Sequence, residues 1–372
     1  MQTLKYSFGL FAFLFCVNAA HSQKPKVELD GTEVTRFTSA INNQQYVLYI
    51  RFPNDSIKPN KKYPVLYVTD WQWFFTSLYA GYGGLRYDGL NPDIIIVGIA
   101  FSSDYENSRS RDMSPTPAKP VSFDTTNYPG GAPKFLSVIK NEIIRYIDST
   151  YPTDTSKRCL YGTSMGGLFA IYSLFQEPTL FNQYIIASPY VQFNHDWIFK
   201  FEKNFAAKNK TLNAKVFFSI GELERKDYVN SYKKFVNQIS ATKYKGLVMK
   251  SMTIPNMSHS STSTVGAIFG LRYIYGKPDI ALNNDLLDKY VGHYMMCTGK
   301  IAIDTVKILR SGSHLFVINE SNERVKLLAE SPQRFSIEGD NVVFEFKKDH
   351  NKVTGLEVII HDEHFLSCKR ID

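Results

Sequence analysis

The rhythm of apolar and polar positions changes near Lys277-Pro278. Upstream, short runs are apolar on both faces: Pro64–Thr69 (PVLYVT), Asp93–Phe101 (DIIIVGIAF), Arg158–Gly162, Gln183–Ala187, Ala214–Ile220 and Leu247–Thr253. Runs of that length predict strands of a parallel sheet covered by helices on both sides. Between them, Pro133–Thr150 places Phe135, Leu136, Val138, Ile139, Ile143, Ile144 and Ile147 at helical spacing, with proline in a first turn. Further helices are predicted over 164–176, 227–240 and 264–275, the last stopped by Gly276-Lys277-Pro278. Two opening strands, 33–40 and 45–52, suit an antiparallel edge.

Downstream of Pro278 the helical period disappears. Strand-like runs recur at 301–307, 314–319, 324–329, 334–338, 341–347, 353–360 and 364–370, separated by turn pairs such as Ser311-Gly312 and Gly339-Asp340. That spacing predicts a small all-β domain, a sandwich or a barrel. The expected organisation is an α/β domain over residues 23–277 followed by an all-β domain over 278–372.

Residues 1–22 carry the pattern of a secretory signal: Lys5, an apolar stretch Tyr6–Val17, and Ala20-His21-Ser22 as a cleavage site. The apolar stretch is too short to span a bilayer, which takes about 20 residues. Phe15 before Cys16 does not suit a lipidation signal. The expectation is a periplasmic or secreted protein without stable membrane insertion. Cys159, Cys297 and Cys368 then remain, an odd number that argues against a disulfide framework, with a Cys297–Cys368 pair left open.

The 372 residues are 44% hydrophobic and 21% charged, which excludes disordered and collagen-like classes. The formal charge of +8 is not gathered into basic runs, so no nucleic-acid partner is expected. Residues 284–372 hold 12 basic and 14 acidic side chains, so the positive surplus belongs to the α/β half. Such a surface would suit anionic substrates.

The sharpest motif is Gly162-Thr163-Ser164-Met165-Gly166-Gly167, lying between an apolar run and an apolar helix. A G-x-S-x-G turn in strand–turn–helix context presents a serine hydroxyl at the carboxyl end of a sheet. The glycines are needed because the bend leaves no room for Cβ atoms. A serine needs a base, and the α/β half holds only His195 and His259. His259 follows the last strand in a polar loop, where this class of fold delivers its base; His195 reads as a rim residue. The acid should end the strand Ala214–Ile220, where Glu222, Glu224 and Asp227 are available. Glu224 is preferred, and the order Ser…acid…His matches α/β-hydrolases. Backbone N–H groups of Met165 and of Trp71 or Gln72 are the oxyanion candidates. Trp71, Trp73 and Tyr190 are the substrate-pocket candidates.

Several separated segments resemble the esterase family of α/β-hydrolases that includes esterase D-like enzymes, siderophore esterases, feruloyl and acetylxylan esterases and mycolyltransferases. They are Tyr63–Asp70, Arg109–Pro115 (RSRDMSP), Gly130–Leu136, Tyr161–Leu168 (YGTSMGGL), Pro178–Pro189 and the stretch from His259 to Arg272. The resemblance implies Ser164 as nucleophile, His259 as base and Glu224 as acid, with no cofactor. Trp71 stands where the family commonly has glycine, and Thr163 where histidine is frequent. Arg111-Asp112 matches a family loop and reads as an ion pair holding it. Tyr290–Tyr294 (YVGHY) and Asp349–Leu356 resemble small β domains appended to exported bacterial hydrolases. His293, His361, His364 and Cys368 lack zinc-ligand spacing, so no metal is expected.

The expected activity is that of an exported serine carboxylesterase acting through an acyl-enzyme on a siderophore lactone or an acylated or feruloylated glycan. A silent scaffold on a hydrolase fold and an acyltransferase using the same residues are the competing expectations.

Overall fold

The structure is a computed structural model that describes residues 29–53, 57, 60–102, 105–120, 126–298, 301–318, 321–350 and 352–372. The leader expected over residues 1–22 lies outside them. Among the described residues, eight strands build one sheet: β1 (Thr32–Thr38), β2 (Gln45–Arg51), β3 (Tyr63–Val68), β4 (Ile95–Phe101), β5 (Thr153–Thr163), β6 (Gln183–Ala187), β7 (Thr211–Gly221) and β8 (Lys245–Ile254). Their order is β1-β2-β4-β3-β5-β6-β7-β8. β1 and β2 run antiparallel at one edge, with Val34 opposite Tyr49, and β2 pairs antiparallel with β4. From β4 onward every pairing is parallel.

The parallel strands are buried on both faces, as their unbroken apolar runs require. One core lies on the side of the helix Ala132–Val138, which continues through a π turn at Ile139–Ile143 into Ile144–Thr150 (together α3). A second core lies under α1 (Trp71–Tyr87) and α7 (His259–Tyr275). The remaining helices of this half are α2 (Tyr105–Met113), α4 (Met165–Gln176), α5 (Phe193–Lys208) and α6 (Lys226–Thr242). α1, α2 and α5 have no counterpart in the apolar periodicity. α2 is strongly polar along its length, and α5 is interrupted at Asn194, His195 and Asp196, all at positive φ.

Trp71 resolves one of these omissions. Its indole is fully buried and lies flat on the backbone of Gly98 in β4, where an added Cβ would sit 2.0 Å from Trp71 Cδ2. The ring fills the hollow that the glycine leaves, and burial of an aromatic of this size stabilises by roughly 3 kcal/mol. The expectation that Trp71 lines a substrate pocket is therefore corrected: its side chain belongs to the core.

After the short helix α8 (Asn284–Asp288), eight strands close into an antiparallel barrel in sequential order. They are β9 (Gly292–Thr298), β10 (Ile301–Ser311), β11 (His314–Ile318), β12 (Arg324–Ala329), β13 (Arg334–Ile337), β14 (Val342–Asp349), β15 (Lys352–Ile360) and β16 (Glu363–Arg370). β9 was not among the predicted runs, and pairing of β9 with β16 is what closes the barrel. Side chains fill the interior, with Tyr290 stacked on Phe346 at 4.3 Å between ring centroids. Cys368 is buried opposite Met296, whereas Cys297 is in register with Ser367, and the Cys297 side chain lies outside the described residues. The barrel meets the α/β half at the end of the sheet where strands begin. Lys61 bridges Asp93 at 2.7 Å and Asp362 at 3.0 Å, and Asn341 Nδ2 donates to the carbonyls of Arg86 and Tyr87.

Candidate active site

β5 ends at Thr163 and α4 begins at Met165, so a single residue makes the bend. That residue, Ser164, has φ 54° and ψ −117°, a conformation that side-chain-bearing residues adopt only under constraint. The constraint comes from three hydrogen bonds: Ser164 N–H donates to Ala187 O (3.1 Å), while Ser164 O accepts from Leu168 N–H (3.0 Å) and Tyr190 N–H (2.9 Å). The glycines permit the approach. A Cβ on Gly162 would stand 2.0 Å from the Gly166 carbonyl oxygen, and one on Gly167 2.9 Å from Pro189 Cα.

Gly166 also lets the turn after β3 press against the start of α4. A Cβ there would lie 2.6 Å from Thr69 Oγ1 and 3.1 Å from Asp70 Oδ2. Two helix N-termini, those of α1 and α4, thus converge beside Ser164, each with first-turn N–H groups that have no intrahelical acceptor. Trp73 N–H is already engaged by Asp70 O at 3.0 Å, which leaves Trp71 and Gln72 as the donors that α1 can offer. Asp70 adopts a left-handed conformation, φ 56°, and is almost fully buried. Arg109 holds it in a two-point contact (Nε to Oδ1 2.8 Å, Nη2 to Oδ2 3.0 Å), and the Tyr105 hydroxyl donates to Oδ1 at 2.9 Å.

His259 is the first residue of α7, not part of a loop before it. Ser258 caps the helix in a reciprocal pair with Ser261, its N–H donating to Ser261 Oγ at 2.9 Å. The run of serines and threonines over 258–264 hid this first turn from any apolar periodicity. His259 Nδ1 lies 2.7 Å from Glu224 Oε2. Glu224 Oε1 accepts from Ser188 Oγ at 2.6 Å and from Gly221 N–H at 2.8 Å. Burial raises the Glu224 carboxyl, yet its hydrogen bonds from His259, Ser188 and Gly221 outweigh that and hold it below the usual glutamate range. The two alternative acids go elsewhere: Glu222 accepts from Asn256 N–H at 3.0 Å, and Asp227 pairs with Arg225 at 2.7 Å. His195 is exposed on α5.

Ser164 and His259 share two adjoining lobes of one cleft. The larger, about 640 Å³, is walled by Tyr190, Tyr228 and Leu223. The smaller, about 360 Å³, is walled by Trp73, Phe74 and Tyr105. Trp73 and Tyr190 therefore face the cleft. In the described lining Arg109 and Arg225 are each tied to a carboxylate, so the positive surplus of the α/β half is not gathered here. Arg111 and Asp112 pair with one another at 2.7 Å and Tyr46 O–H donates to Asp112, which makes them a loop brace.

Two residues escaped the sequence reading. Ser188, at φ 42° just after β6, orients Glu224. Tyr228 donates its hydroxyl to Ser188 O at 2.8 Å, lines the same lobe as Ser164, and meets the His259 ring at nearly a right angle, 5.4 Å between centroids. Burial first, then the Glu224 charge, push its phenol well above the usual tyrosine range, so it remains a donor. A tyrosine at the start of an amphipathic helix carries no sequence signal for such a position.

A family model described as "Putative esterase" matches residues 39–241, more than half of the chain. The chain belongs to that esterase family. As a member of that family it is an ester hydrolase, and its larger half has the α/β-hydrolase fold. Ferri-bacillibactin esterase BesA of Bacillus subtilis (strain 168) is 29% identical over 212 residues, covering 53% of this chain and 72% of that protein. Siderophore triacetylfusarinine C esterase of Aspergillus fumigatus is 27% identical over 183 residues, covering 45% of this chain and 59% of the relative. The solved BES protein from Bacillus cereus superposes with a TM-score of 0.62 at 25% identity, covering 68% of this chain and 99% of that one.

Proposed function

We propose that this esterase is exported and hydrolyses siderophore esters through Ser164, His259 and Glu224. The observation that carries the reading is the 2.7 Å contact between His259 Nδ1 and the buried Glu224, at the cleft into which the strained Ser164 opens. Glu224 fixes the imidazole with Nδ1 protonated, so that Nε2 is the basic nitrogen. Ser164 Oγ attacks the ester carbonyl as His259 Nε2 takes its proton. Backbone N–H groups of Met165 and of Trp71 or Gln72 receive the oxyanion, favoured by two helix N-termini. The imidazolium then protonates the departing alkoxide. Water repeats the sequence on the acyl-enzyme and restores the serine.

The siderophore assignment is supported by the relatives, which are named as ferri-bacillibactin esterase and triacetylfusarinine C esterase. Export is supported by the leader pattern in residues 1–22. The test is Ser164→Ala: hydrolysis of p-nitrophenyl butyrate and of a tris-catechol trilactone should fall by about 10⁴-fold or more. A fluorophosphonate probe should label the wild-type chain at Ser164 and leave the variant unlabelled. Normal rates in the purified, folded variant would refute the reading.

A further inference from the structure

We infer that the cleft takes its siderophore ester as an uncharged molecule and discriminates against polyanionic forms of the same compound. The inference rests on the esterase reading above and narrows it to a charge class. Both guanidinium groups facing the two lobes are already neutralised. Arg109 is held by Asp70 through contacts of 2.8 and 3.0 Å, and Arg225 by Asp227 through contacts of 3.2 and 2.7 Å. Glu106 and Glu224 add two further carboxylates. Among the described lining residues, two cations therefore stand against four carboxylates, with the imidazole left aside. The positive surplus of the chain, formally +8 over all its residues, therefore lies elsewhere than in this lining.

The rest of the lining is aromatic. Trp73 and Tyr105 lie 6.1 Å apart in one lobe, and Tyr190 and Tyr228 stack at 6.2 Å in the other. Such walls suit flat, neutral arms. A tris-catechol triester without iron is neutral near neutral pH, because its phenols keep their protons. Ferric binding displaces those protons and turns the same triester into a trianion. An anion of that charge would enter a lining of excess carboxylate within about 10 Å, the Debye length at moderate salt, between low-dielectric walls that intensify repulsion. A ferric tris-hydroxamate ester is neutral and escapes the penalty.

The experiment compares kcat/KM for the iron-free tris-catechol trilactone, its ferric complex, and p-nitrophenyl butyrate as a neutral reference. The iron-free form should exceed the ferric form by about tenfold or more at low salt, and the ratio should shrink as salt is raised. Asp227→Asn, which releases Arg225, and Glu106→Gln should each shift the ratio toward the ferric form. Fluorescence quenching of the Ser164→Ala variant should show the same order of binding without turnover. Equal or faster hydrolysis of the ferric complex, with the reference ester turned over, overturns the inference and leaves the esterase reading standing. Hydrolysis confined to the reference ester overturns the siderophore assignment along with it. No hydrolysis of any ester overturns the reading of the site itself.

Discussion

His259 Nδ1 and Glu224 Oε2 meet at 2.7 Å although 35 residues separate them, and only the acid is buried: the Glu224 side chain is 2% exposed and that of His259 45%. The carboxylate is thus fixed by the protein while the imidazole faces the cleft. In the proposed mechanism this asymmetry gives the work of orientation to Glu224. Glu224→Gln keeps the shape but loses the charge that stabilises an imidazolium, and kcat should fall by about 10³-fold with little change in KM. Glu222→Gln, whose carboxylate accepts from the Asn256 N–H and not from His259, should stay within about threefold of wild type. Steady-state kinetics on p-nitrophenyl butyrate separate the two.

The same carboxylate should leave a mark on stability. Because its folded-state value lies below the ordinary one, the unfolded chain binds more protons between the two, and stability rises with pH through that window. The contribution is complete above the ordinary glutamate value of about 4.3 and is lost as pH falls through the lowered one. Urea unfolding should therefore show a larger deficit for Glu224→Gln at pH 7 than at acid pH. An equal deficit at both would contradict the hydrogen-bonding account of the shift.

How much of this was written in the chain differs from residue to residue. The bend at Ser164 was legible because a tight turn demands glycines at fixed offsets, and Gly162, Gly166 and Gly167 each face backbone or side-chain atoms closer than a Cβ tolerates. The parallel strands were legible because both their faces are buried. Trp71 was misread because its burial depends on Gly98, a partner from another strand that no local pattern names. α2 was invisible because three of its four buried residues, Ser108, Ser110 and Asp112, are polar, and Asp112 finds its partner in Tyr46 on a distant strand. Ser188 and Tyr228 act through a carbonyl and a carboxylate brought together by the sheet, so their role exists only once β6, β7 and α6 are assembled.

Tyr228 offers a direct probe of that assembly. Its hydroxyl donates to the carbonyl of Ser188, the residue whose own hydroxyl holds Glu224, and its ring edge supports His259. Tyr228→Phe keeps the ring contact and removes the donor, leaving the Ser188 carbonyl unpaired. The expected result is a fall of about tenfold in kcat, at a stability cost of about 1–2 kcal/mol. Tyr228→Ala should cost far more activity, because the His259 ring loses its wall. Identical kinetics for the two variants would show that the phenol, and not the ring, carries the whole effect.

Arg109 tests whether the turn after β3 matters to the reaction. Asp70 sits in a left-handed conformation that costs an ordinary residue on the order of 1 kcal/mol or more, and the two-point guanidinium contact with the Tyr105 hydroxyl holds it there. The N–H groups of Trp71 and Gln72 follow immediately, so their aim depends on Asp70. Arg109→Lys retains the charge but offers a single point of contact in place of the fork. Loss of oxyanion alignment lowers kcat and kcat/KM together, here by about 10²-fold, whereas a purely structural brace would lower stability and leave kcat intact. Unfolding midpoints measured beside the kinetics decide between them, and an unchanged kcat in Arg109→Lys would remove Trp71 and Gln72 from the reaction.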